Sequence, residues 1–107
     1  MAAVPKRLYD FPFSGNGYKV RLALAQLGIG VDYRVVDLIA RETRADWFLA
    51  LNPMGEIPVL ELSDGTLLRE SNAILFWLCG SYTAFCVRNR GHAFWHGAPS
   101  TSLTGEA

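Results

Sequence analysis

The residues with most chemical promise lie at the junction YDFPFSGNGYKVRLAL, Tyr9 to Leu24, where an apolar extended segment meets Ser14-Gly15-Asn16-Gly17 and then a helical pattern. Backbone amides at a helix start have no partners within the helix and attract anions, so the junction is suited to a small negative group. Two plainer readings stand beside this one. Gly15 and Gly17 permit a tight turn while Ser14 or Asn16 caps the helix. Alternatively, Gly15-Asn16-Gly17 with Asp37 further on is a partial dinucleotide fingerprint, with Val20 where the third glycine belongs.

Two further stretches could carry chemistry. In NPMGEIPVLEL, Pro58 stands directly before an apolar strand start. A cis Ile57–Pro58 bond there would turn the Ile57 backbone out of the sheet towards a ligand, although most X-Pro bonds are trans. In RESNAIL, Glu70 and Ser71 stand at a helix start. They offer a carboxylate for an amine, and a hydroxyl with amides for a carboxylate, the two ends of an α-amino acid; a plain serine cap is the alternative. Cys79, Cys86, His92 and His96 lack zinc-finger spacing and the H-E-x-x-H glutamate, so no metal site is expected. The absence of cysteine from Ser14-Gly-Asn-Gly17 argues against dithiol exchange at that helix.

These groups need a scaffold. Residues 7–11 read as a strand ended by Pro12. In residues 18–27, Val20, Leu24 and Leu27 recur at helical spacing before Gly28. Val31 to Val35 alternate apolar and polar, with Val36 and Leu38 extending a second strand, which makes a βαβ unit with parallel strands. A short helix is expected around Asp46–Leu51, stopped by Asn52-Pro53. EIPVLEL and TLLRE flank Ser63-Asp64-Gly65 as an antiparallel hairpin. Ser71 opens a last helix running to about Leu78. The order β-α-β-α-β-β-α predicts an α/β domain: a mixed four-stranded sheet flanked by helices. It spans residues 1–78. From Cys79 the periodicity dissolves, and residues 79–107 are expected to be a poorly ordered tail.

The 107 residues suit one domain, and 50% hydrophobic content is enough for a modest core. Ten basic residues balance ten acidic ones, which gives no pull towards nucleic acid or an anionic membrane. No apolar run approaches the ~20 residues of a spanning helix, and no signal peptide follows Lys6 and Arg7. The expectation is a soluble cytoplasmic protein with Cys79 and Cys86 as reduced thiols.

Taken together, the Ser-turn before a helix, N-P-x-G-x-I-P-V-L and E-S-x-A-I-L resemble the N-terminal domain of cytosolic glutathione transferases, bacterial type with a Ser-x-Asn start. The resemblance covers about Arg7 to Leu78 and implies a thioredoxin-like fold. It also implies glutathione as co-substrate, a small electrophile as second substrate, no prosthetic group, and a possible homodimer. Ser14, with Asn16 as second candidate, would face the sulfur. Ile57 beside a cis Pro58 would pair with the cysteinyl backbone, and Glu70 and Ser71 would hold the γ-glutamyl end. Arg44, with Arg41 as rival, would meet the glycyl carboxylate. Glu56 stands where many relatives carry Gln or Lys.

Complete members of that family continue into an all-helical domain, for which residues 79–107 carry no pattern. The expectation is therefore a reading frame interrupted near Leu78, with Phe76, Trp77 and Leu78 left as an uncovered apolar patch. A non-catalytic glutathione-binding or interaction module, or an inactive product, are the alternatives to an enzyme.

Overall fold

A computed structural model of the chain describes residues 3–82. Among the described residues four strands form one sheet: β1 (Pro5–Asp10), β2 (Asp32–Val35), β3 (Val59–Leu62) and β4 (Leu67–Arg69). Three helices accompany them there: α1 (Gly15–Leu27), α2 (Asp46–Leu51) and α3 (Ser71–Ser81). A 3-10 turn, Glu42–Arg44, precedes α2. The sheet order is β2-β1-β3-β4, with β1 parallel to β2 and antiparallel to β3, and β3 antiparallel to β4. This is the mixed α/β sheet of the thioredoxin-like order expected from the sequence.

Strand side chains alternate between the two faces, and the core divides accordingly. Leu8, Leu60 and Leu62 pack with Val20 and Leu24 of α1 and with Ile74, Leu75 and Leu78 of α3. Tyr9 and Val59 point the other way, onto Phe48 of α2 and Val36. The sheet therefore lies between α1 and α3 on one face and α2 on the other. β2 is an edge strand, which explains why Tyr33 and Val35 stay partly exposed despite their apolar alternation.

Several boundaries differ from the sequence reading. β1 starts at Pro5 and stops at Asp10, before Phe11. α1 starts at Gly15 instead of Tyr18, so both glycines of the supposed turn are helical. α3 continues past Leu78 to Ser81, through the first residues assigned to the tail, and residues 83–107 lie outside the described residues. Cys79 is disulfide-bonded, where a reduced thiol was expected. The apolar patch is also smaller than expected. Leu78 is wholly buried, Trp77 packs against the core, and Phe76 stands 64% exposed.

Candidate functional site

The strand register gathers the candidate residues. Tyr9 of β1 lies opposite Val59 of β3, and Val59 lies opposite Arg69 of β4. Adjacent strands are about 4.8 Å apart, so the end of β1, the start of β3 and the end of β4 form one short row. Ser14 follows the first, Ile57 and Pro58 precede the second, and Glu70 and Ser71 follow the third. Both α1 and α3 also start at this end of the sheet.

Ser14 caps α1. Its backbone is extended, and its Oγ accepts the Gly17 N–H at 3.1 Å while its carbonyl accepts the Tyr18 N–H at 2.9 Å. A serine hydroxyl that accepts one bond still has its own proton to donate. Asn16 is exposed in the first turn of the same helix.

The peptide between Ile57 and Pro58 is cis. Pro58 is buried, and Ile57 packs partly against the Tyr9–Phe48 cluster. No hydrogen bond among the described residues engages the Ile57 backbone, which leaves its N–H and C=O available at the sheet end. The loop leading there is fixed by Asn52, which is buried. Its Nδ2 donates to the Glu56 carbonyl at 2.8 Å, and its Oδ1 accepts the Met54 N–H at 3.1 Å. Glu56 itself is exposed.

Glu70 is exposed and has φ 87°, outside the comfortable range of a residue with a side chain. Its carbonyl accepts the Ile74 N–H at 3.0 Å, starting α3. Ser71, 5% exposed, is the first residue of that helix, where amide groups point outward. Arg44 ends the 3-10 turn, with a guanidinium nitrogen 3.2 Å from where a side chain on Gly55 would begin; it borders the loop before Ile57. Arg41 is exposed in left-handed backbone just ahead of that turn.

A buried group beneath the site carries no sequence signature. Asp10, at the last position of β1, is fully buried. Its Oδ2 accepts hydrogen bonds from Arg21 and, at 3.1 Å, from the Tyr33 hydroxyl. Burial pushes the Asp10 carboxyl above the usual carboxylate range, against the opposing pull of its hydrogen bonds from the Phe11 backbone, Tyr33 and Arg21. Its partners are 11 and 23 residues away, so only the folded βαβ unit brings them together. Among the described residues no His/Cys/Asp/Glu group is arranged to hold a metal ion, and no helix is long and apolar enough to cross a membrane.

A family model for the glutathione S-transferase N-terminal domain matches residues 8–84. The chain belongs to this family. A maleylacetoacetate isomerase of Pseudomonas aeruginosa is 40% identical over 74 residues, covering 67% of this chain and 35% of the relative. Glutathione S-transferase 1 of Dianthus caryophyllus is 39% identical over 72 residues, covering 67% of this chain and 32% of the relative. The crystal structure of a glutathione S-transferase from Pseudomonas fluorescens superposes with TM-score 0.66 at 49% identity, over 68% of this chain and 36% of that one. A glutathione transferase homolog from Lodderomyces elongisporus, described with two GSH per subunit, gives TM-score 0.67 at 36% identity, over 72% and 38% respectively. The chain thus spans about a third of the length of these family members.

Proposed function

We propose that this transferase-family domain binds glutathione across the sheet end formed by β1, β3 and β4, and holds its sulfur beside Ser14. The carrying observation is the register Tyr9–Val59–Arg69, which brings the segments bearing Ser14, Ile57 and Glu70–Ser71 to one end of the sheet; an extended tripeptide lying across that end would meet all three. In this reading Ser71 and the α3 amides take the γ-glutamyl carboxylate, and Glu70 takes its amine. The Ile57 backbone pairs with the cysteinyl unit, and Arg44 meets the glycyl carboxylate.

The chemistry asked of Ser14 is modest. A free thiol has a pKa of about 8.5, and the thiolate is the nucleophile. Lowering that value by ~2 units needs roughly 2.7 kcal/mol of preference for the anion. A hydrogen bond to a charged acceptor supplies about 1.5–3 kcal/mol, and a helix N-terminus adds ~0.3–1. The Ser14 hydroxyl accepts the Gly17 N–H and keeps its proton for the sulfur, and α1 opens beside it. The activated thiolate would add to a small electrophile, displacing its leaving group, or exchange with a disulfide.

The test is turnover of glutathione with an aryl halide by the wild-type chain, Ser14→Ala and Asn16→Ala. The reading expects turnover that falls at least tenfold in Ser14→Ala and less in Asn16→Ala, at similar glutathione affinity. Equal turnover in wild type and Ser14→Ala would remove Ser14 from the sulfur. Binding without turnover in the wild type would mark a glutathione-binding module.

A further inference from the structure

Arg21 reaches in two directions from α1. Inward, its Nη1 donates to the buried Oδ2 of Asp10. Towards the site, its Nη2 donates to the Pro12 carbonyl at 3.0 Å and its Nη1 approaches the Phe11 carbonyl at 3.4 Å. The Phe11 carbonyl also accepts the Ser14 N–H at 2.9 Å. One guanidinium therefore grips the chain between the end of β1 and Ser14, and Asp10 holds that guanidinium from below. Asp10 in turn fits only because residue 17 is glycine. A side chain there would begin inside the space that the Asp10 carboxylate fills.

We propose that Asp10 and Arg21 are positioning residues for the Ser14 hydroxyl, acting through the Phe11 and Pro12 carbonyls; the proposal rests on the reading of Ser14 as the residue facing the sulfur. Burying an ion pair brings little net stability by itself, so stability alone is a poor reason for this arrangement. Its contacts converge instead on the two carbonyls ahead of Ser14 and on the glycine whose N–H the Ser14 Oγ accepts. A planar guanidinium can span a carboxylate and two carbonyls together, which the single ammonium of lysine cannot. Gly17 is thus explained by what lies under the helix.

The experiment compares wild type, Arg21→Lys and Asp10→Asn by amide hydrogen exchange, and by titrating the thiolate absorbance of bound glutathione. Arg21→Lys keeps a positive charge opposite Asp10 and guards against simple failure to fold. The expected result is exchange at the Ser14 and Gly17 amides roughly tenfold faster in both variants, with β1–β3 amides unchanged. The midpoint of the bound thiol should rise by about one unit, a tenfold loss of thiolate at a pH below it. Unchanged exchange at Ser14 and Gly17 would overturn the proposal. So would an even rise across all elements, which marks a general stabilising role. If wild type gives no thiolate signal with glutathione, the functional reading falls, and the exchange comparison still decides the positioning role.

Discussion

Ser14 and Glu70 carry different burdens at the same sheet end. Ser14 is in comfortable backbone and serves the fold as a cap, so its removal has a structural cost separable from its chemical one. Ser14→Ala should lower unfolding stability by about 1 kcal/mol, the usual worth of a cap, measured by denaturant titration. A loss beyond ~3 kcal/mol would mean that the residue holds more than the α1 start. Glu70 is the reverse case. Its φ of 87° is strained for a residue with a side chain, of order 1–3 kcal/mol. Glu70→Gly should therefore raise the melting temperature while weakening glutathione binding. A lower melting temperature would show that the Glu70 side chain stabilises the domain, contrary to its exposed position. The strain was invisible in the sequence, because Glu-Ser before an apolar run reads as an ordinary helix start.

At the scale of elements, the sequence was informative where local chemistry decides the outcome. Asp46–Leu51 is bounded as read, since Asn52-Pro53 ends a helix whatever surrounds it. The Asp64-Gly65 turn likewise gives the β3–β4 hairpin. The start of α1 misled, because Gly15 and Gly17 read as turn residues. They are helical, and Gly17 is required by the Asp10 carboxylate, a contact that exists only after β1 and α1 pack. That carboxylate also gives β1 a pH dependence. Its raised folded value means the folded state keeps a proton that the unfolded chain has released. Stability from this group is therefore level below the ordinary value of 3.8 and falls as pH rises from there towards the folded value. Half-buried Glu42 and exposed Asp64 are shifted down and act oppositely, losing their contribution on acidification. Asp10→Asn should remove the downward component, visible as a changed slope of the denaturation midpoint against pH. Parallel curves for the two proteins would contradict this assignment.

Across the molecule, the site is a consequence of strand order. Placing β1 between β2 and β3 sets the ends of β1 and β4 either side of the β3 start, and no single motif implies that row. The sequence carried the motifs; their adjacency came from the fold. The apolar reading of α3 needed the same correction. A helix apolar all round was expected to leave Phe76, Trp77 and Leu78 uncovered, yet α1 and the sheet already bury Leu78. Leu78→Ala should cost about 2–5 kcal/mol, whereas Phe76→Ser should change stability by less than ~0.5. Equal losses at the two positions, measured by thermal and denaturant unfolding, would contradict this division of the helix.

The central claim is that residues flanking the ends of three strands act together as one glutathione half-site. Its most direct test is calorimetric titration of the chain with glutathione near neutral pH, repeated with Ser71→Ala. Saturable binding is predicted, weakened roughly tenfold or more in Ser71→Ala as one hydrogen bond to a charged group is lost. No binding by a demonstrably folded wild-type chain, or equal binding by the two proteins, would contradict the account.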